Sequence, residues 1–416
     1  MNTLTSPTPT RQRNHLIDGL RGLAIFGILM VNMPLMYGPM SNVLLNAPHG
    51  EGLAALTGTW LIRVFFEGKF YVLFSALFGY GFYLFLHKAS GSPEANLRLF
   101  RRRLFFLLLL GAAHVHFLWA GDILVFYALF GFLLILFRNA STRALLRWAV
   151  VFAAVPVLLT LGIYGLIALI SRIPEAGEAA AASFEEGSAQ TLALFRAASE
   201  AYSSGTYTDT VRARWTEYLA LLPGVLFFYP TVMAMFLAGF AAAREGVLSN
   251  FDRHKGFWRK AFKAGFFAGL PLALFYAYAM GQAPPGDQSS GWYAAATTVH
   301  IIGGIFLCLG YVAWMVRRYH AGNTHFTEAC LAPVGRMALT NYISHSFITL
   351  WLFHGYGLGL FGKVGVWQGI LLTVIIFVLQ IFWSRWWLRR YRFGPLEWLW
   401  RSLTYGRRQP LKRDAA

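Results

Sequence analysis

Ten apolar runs alternate with short polar or basic segments along the chain, at residues 17–38, 63–87, 104–120, 122–137, 145–171, 219–243, 262–281, 294–316, 331–354 and 366–388. Runs near 20 residues match the hydrocarbon core of a bilayer, about 30 Å at 1.5 Å per residue. The pattern predicts an all-α polytopic transmembrane bundle of about ten spans. A polar N-terminus (1–15) leads into a five-span half (16–171), and a second five-span half follows (219–388). Between them lies a segment rich in Ala, Ser and Glu (172–218), with Glu175, Glu178, Glu185 and Glu186, expected to form a helical excursion. In the tail (389–416), Gly394-Pro395 breaks the last span and suits the start of a new helix. Glu397 and Arg401 are spaced i,i+4 there, and Trp398 and Trp400 favour a headgroup zone, so a short interfacial helix is expected. No internal repeat relates the two halves, which disfavours inverted-repeat transporter folds.

Composition confirms the class. Only 13% of the 416 residues are charged and 57% are hydrophobic, whereas soluble domains carry about 25% charged residues. The net charge of +18 would suit nucleic acid, but its distribution argues otherwise. Of 36 Lys and Arg residues, 29 fall on one side of the expected bundle. The other side holds seven: Arg63, Lys69, Arg172, Arg196, Arg212, Arg214 and Lys363. Basic loops mark the cytoplasmic side, so both termini are expected inside, with the lipid bilayer rather than nucleic acid as partner. Arg11 and Arg13 precede an apolar stretch, as in a signal peptide. No small-residue cleavage site follows, and Asn32 and Pro34 interrupt the run, so a retained first span is expected. Cys308 and Cys330 lie toward the inner side, which leaves neither an outer disulfide nor a zinc spacing, and no metal site is expected.

Ionisable groups at membrane depth are costly and are functional candidates by default. In the first half they converge on one depth. Asn32 falls in the outer part of the first span, and Glu67 and Lys69 about two turns below the outer surface. His114 and His116 come near the outer end of the third span, and Asp122 opens the fourth after a very short turn. His49 lies on the loop between the first two spans. Arg63 with Glu67, and Lys69 with Asp122, are also read as structural pairs. His114 and His116 point about 200° apart on a helix, so one faces the centre, and His114 is favoured. A buried imidazole beside Asp122 or Glu67 suits proton transfer. In the second half, Asn341 and His345 share a face of the ninth span, with His300 and His354 toward the outer side. Asn341 also reads as a helix cross-link.

These residues carry a resemblance. Leu16-Ile17-Asp18-Gly19-Leu20-Arg21-Gly22 with Val31-Asn32 resembles the first span of the YeiB-like family of bacterial membrane proteins, numbered 418 among domains of unknown function. The same holds for Glu67-Gly68-Lys69-Phe70, Leu77-Phe78-Gly79-Tyr80-Gly81, Gly111 to His114 and Gly121-Asp122-Ile123-Leu124. In the C-terminal half the likeness runs through Gly335-Arg336-Met337-Ala338-Leu339-Thr340-Asn341-Tyr342 and Phe393-Gly394-Pro395-Leu396-Glu397-Trp398. It implies a multi-pass protein of the bacterial cytoplasmic membrane. The first span, through Asp18, Arg21, Gly22 and Asn32, is similar to the wider transmembrane acyltransferase superfamily of the heparan-glucosaminide acetyltransferase type. That likeness implies transfer of an acyl group from a cytoplasmic donor to an acceptor at or across the membrane, using an outer histidine.

On the acyltransferase reading, His114 or His49 is the base or acyl carrier, with Asp122 and Glu67 orienting it. Asn32 and Lys69 hold substrate and an oxyanion, and Asn341 and His345 extend the binding site. Arg21, Arg101, Arg102 and Arg103 meet the phosphates of an acyl-CoA co-substrate. No tightly bound cofactor is expected, the acceptor is a lipid or glycan, and both a monomer and a homo-oligomer are open. On a transport reading the same outer cluster is a proton or substrate site in alternating access. A structural or accessory role is the third alternative.

Overall fold

The computed structural model describes residues 14–44, 46, 52–87 and 92–413, and the core of every apolar run is helical. In chain order the helices are α1 (His15–Tyr37), α2 (Met40–Leu44), α3 (Gly52–Phe65), α4 (Phe70–Leu86), α5 (Pro93–Phe117), α6 (Leu124–Leu134), α7 (Thr142–Ile170) and α8 (Pro174–Ser204). They continue as α9 (Tyr207–Arg244), α10 (Phe251–Ala264), α11 (Leu270–Gln282), α12 (Gly291–His320), α13 (Ala332–Arg336), α14 (Ala338–Phe353), α15 (Val366–Arg390) and α16 (Pro395–Tyr405). A π-helical turn, Gly265–Gly269, joins α10 to α11. Among the described residues there is no strand beyond one isolated bridge, Tyr391 to Lys412.

Local chemistry sets the helix starts. Asn14 accepts the amides of Leu16 and Ile17 ahead of α1. Ser92 accepts Ala95 N–H with Pro93 at the first helical position of α5, and Ser141 does the same for Ala144 at α7.

Among the described residues, seven helices are long and apolar enough to cross a membrane: His15–Tyr37, Gly52–Leu86, Thr142–Ile170, Phe227–Arg244, Phe251–Gln282, Gly291–His320 and Val366–Arg390. Burial orders them. The apolar window of α1 is 72% buried, against 11% for α7, so α1 is the bundle's centre and α7 shows its apolar side chains outward. Such a surface suits lipid, because exposed patches of this extent are rare on soluble monomers. α1 packs against α4 and also against α13, α14 and α15, so the two halves interlock rather than sit apart.

Three segments differ from the expected pattern. The second span begins at Gly52, not residue 63, and is broken at Phe66–Lys69, where Gly68 takes a φ of +83°. The Thr- and Gly-containing stretch before Arg63 reads as loop by composition, yet it continues the helix outward. Segment 172–218 is mostly α8, while its last turns already belong to α9. The expected interfacial helix is α16, and its Glu397 does more than face Arg401. Its carboxylate accepts the amides of Leu339 (2.7 Å) and Thr340 (3.0 Å) and the Thr340 hydroxyl (2.6 Å). It thereby caps the N-terminus of α14, a position where a negative charge is favoured.

Candidate functional site

The basic clusters define one end of the bundle, called here the basic end; α8 lies toward the other. α5 leaves the basic end at Arg103 and reaches His114 about 16 Å further on, at 1.5 Å per residue. The loop after α5 is short, so the chain turns back at once and presents Asp122 at the start of α6. Gly111 makes this return tight. A methyl placed there would lie 2.6 Å from the Val125 amide nitrogen and 3.1 Å from Asp122 Oδ2. Only the missing side chain lets α6 come this close.

His114 and Asp122 are both buried, with Nδ1 of the imidazole 2.8 Å from Asp122 Oδ1. The other carboxylate oxygen accepts Val125 N–H at 2.7 Å, fixing the group at the start of α6. With Asp122 as a carboxylate, which can only accept, Nδ1 carries the proton and Nε2 holds a free lone pair. Nε2 lies 2.8 Å from the hydroxyl of Ser346 on α14, which donates to it. Ser346 is also buried. The sequence reading missed it: a single serine in an apolar run usually bonds its own helix, and its partner is 232 residues away. The only signal was its place beside His345.

The rest of the expected outer layer divides. Lys69 does not pair with Asp122; its Nζ donates to the Arg63 carbonyl at 2.8 Å. Arg63 donates to Asn46 Oδ1 rather than joining Glu67. Glu67 instead faces α11 and α12, with Tyr276, Tyr293 and His300 near it. Asn32 is half-buried on α1. His116 is exposed and accepts the Trp215 indole N–H at 3.0 Å. Asn341 and His345 turn to α15: Asn341 donates to Ser384 Oγ, His345 meets Gln380 Oε1, and Gln380 donates back to the Asn341 carbonyl. They cross-link two helices beside the His114 site. His49 lies outside the described residues.

Below His114, toward the basic end, a cavity of about 320 Å³ opens among α1, α4, α5, α14 and α16. That is within the usual range for small-molecule sites, about 300–1,000 Å³. Its mouth carries Arg21, Arg103, Arg336, Arg401 and Glu397, and its walls are apolar, including Ile25, Phe78 and Leu107. Arg21 is held by Asp18 at 2.9 Å, and Arg103 lies 3.8 Å over the Trp400 ring. Arg101 and Arg102 are exposed and do not line it. The inner end is closed by Tyr127 and Tyr342, and the Tyr342 ring centroid lies 5.3 Å from that of His114. Tyr342 precedes Ser346 by one turn of α14, and neither Ser346 nor His114 is among the residues lining the cavity.

A separate small chamber of about 20 Å³ is lined by Met36, Leu118, Trp119, Tyr202, Arg214, Glu217 and His354, among others. Tyr202 donates to Glu217 at 2.5 Å. Arg214 is only 1% exposed, gives one N–H to the Leu118 carbonyl at 3.4 Å, and has no acceptor within hydrogen-bond distance of Nε or Nη2 among the described residues. The chamber connects by contact to the buried site: Trp119 stands 6.5 Å from the His114 ring, and Thr349, one turn after Ser346, donates to Met36 Sδ.

Comparison with known proteins gives relatives over nearly the whole chain but no activity. An uncharacterized protein YxaH of Bacillus subtilis (strain 168) is 33% identical across 98% of both chains. The uncharacterized protein YeiB of Escherichia coli (strain K12) is 29% identical across 94% of this chain and 96% of its own. An uncharacterized 39.9 kDa protein in the amylase 3' region of Bacillus acidopullulyticus is 29% identical across 98% of this chain and 99% of its own. No solved structure matches. Residues 242–407 match the family described as a protein of unknown function, DUF418, and with relatives of this identity and coverage the chain belongs to the YeiB-like DUF418 family of helical membrane proteins.

Proposed function

We propose that the chain is a transmembrane acyltransferase of the bacterial cytoplasmic membrane. It takes an acyl group from a donor bound at the basic end and passes it to a lipid or glycan acceptor reached from the other side. The basic end faces the cytoplasm, because short basic loops are retained there. The observation that carries the reading is a buried His114–Asp122 pair beside Tyr342, itself a wall residue of a cavity lined by arginines and apolar side chains. Guanidinium groups at the mouth suit phosphates, and the apolar throat suits a thioester-bearing arm and acyl chain. Acyl-CoA has both parts, so it is the co-substrate. His114, oriented by Asp122, is the base.

The test is donor consumption by purified protein in nanodiscs, offered acyl-CoA of several chain lengths and a membrane extract as acceptor. Parent protein should consume donor. His114→Ala should lose about 10²–10⁴-fold while still inserted, the usual cost of losing a general base. A parent inert with every donor would end the reading.

One observation favours a second reading, transport. The span α3–α4 is broken at Glu67-Gly68-Lys69, and non-helical backbone at membrane depth often surrounds a substrate or ion site. Proton-driven solute uptake that is lost in Glu67→Gln, with no donor consumed, would support it.

A further inference from the structure

We propose that Ser346 is an acyl carrier: the acyl group rests on its Oγ as an ester between donor and acceptor. This deepens the acyltransferase reading and rests on it. The donor cavity is lined by Tyr342, one turn before Ser346 on α14, and the chamber holding Trp119 and Arg214 is lined by Met36, which Thr349, one turn after Ser346, meets. Cavity and chamber thus flank Ser346 along α14, the chamber having room for about one water molecule. Ser346 is also the group that holds the free lone pair of His114 Nε2, at 2.8 Å, so any other nucleophile would have to displace it to reach the base. The order Asp122 carboxylate, imidazole Nδ1–H, imidazole Nε2, Ser346 O–H is that of an activated nucleophile: a hydroxyl on a base, and the base oriented by a third group.

The chemistry balances without a further reactant. Ser346 Oγ attacks the thioester carbonyl while its proton passes to His114 Nε2. The C–S bond breaks, the imidazolium returns the proton to the departing sulfur, and free thiol leaves toward the basic end. An acceptor hydroxyl then attacks the serine ester and gives its proton to Nε2. The bond from the acyl carbon to Ser346 Oγ breaks, and Oγ takes the proton back. Asp122 is a positioning residue throughout, holding the tautomer and stabilising the imidazolium formed in each half.

The relay splits the reaction, so each half can be observed alone. Purified protein is given acyl-CoA and labelled free CoA without acceptor. Label should exchange into acyl-CoA, and acid-quenched protein should carry one acyl group on the peptide containing Ser346. Ser346→Ala should lose both signals while eluting and melting as the parent does. Ser346→Cys, which keeps a nucleophile, should form an adduct released by neutral hydroxylamine, and this supports the site even where the alanine variant fails to fold. Exchange and adduct with His114→Ala should fall about 10²–10⁴-fold. Full transfer by the parent with no exchange, or an acyl adduct at another residue, would overturn the relay and leave acyl transfer standing. A parent that consumes no donor at all would overturn both.

Discussion

Replacing Gly111 by alanine tests how the sequence builds the site. In an open helix this change stabilises by about 0.5–1 kcal/mol, because glycine loses more backbone freedom on folding. At Gly111 the new methyl would stand 2.6 Å from the Val125 amide nitrogen and 2.9 Å from Val125 Cγ2. Both are closer than atoms tolerate, and the backbone atom cannot swing away, so α6 must move off α5. Overpacking of this kind costs about 1–3 kcal/mol, which outweighs the propensity gain. The expected net effect is a loss of up to about 2.5 kcal/mol. The shift carries Asp122, since its carboxylate is fixed to Val125, and a displacement near 1 Å costs about 10²-fold in turnover. Gly162 is the internal control: it lies in α7 and an added methyl meets nothing within 4 Å. Gly162→Ala should melt at or above the parent and keep its turnover. Thermal melts in nanodiscs, with donor consumption measured on the same samples, compare the three proteins. Gly111→Ala melting as high as Gly162→Ala, with full activity, would refute the close α5–α6 approach and its role in aiming Asp122.

Asp122→Asn keeps the shape but removes the charge that fixes the His114 tautomer, so turnover should fall at least about 10²-fold with donor binding at the basic end unchanged, read by kinetics alongside calorimetric titration of CoA. Glu397→Ala strips three donors at the start of α14 of their acceptor and should cost about 1–3 kcal/mol in a melt, with Glu397→Gln recovering part of it. Glu217 precedes the apolar stretch of α9, and burial raises its carboxyl from 4.5 to about 7 against the opposing pull of Tyr202 and Arg214. Below pH 4.5 the folded and unfolded chains both hold that proton; between there and about 7 only the folded chain does. Stability should therefore fall as pH rises through this window, by at most about 3 kcal/mol, and Glu217→Gln should flatten the dependence of the melting temperature on pH.

Helix positions were largely legible, because an apolar run of span length has few alternatives once charge is confined to its ends. The rise per residue also gives depth, which is why His114 and Asp122 were expected together: one short turn joins their helices. Depth says nothing about which helices are neighbours around the bundle. Lys69 and Asp122 were set at one level and assigned to each other, yet α4 turns the lysine to the Arg63 carbonyl while α6 turns the aspartate to His114. The arginines followed the same rule. Arg21 and Arg103 line the cavity, whereas Arg101 and Arg102, at nearly the same height, face outward. Ser346 was least legible, since its meaning comes from a helix more than 200 residues away.

The most direct test of the account uses sealed proteoliposomes oriented with the basic end outward. Labelled acyl-CoA is supplied outside, with a membrane-extract acceptor enclosed within. The account predicts label on the enclosed acceptor and free CoA remaining outside, both abolished by His114→Ala. Label that stays on CoA in the presence of folded parent protein, whatever the chain length of the acyl group, would contradict it.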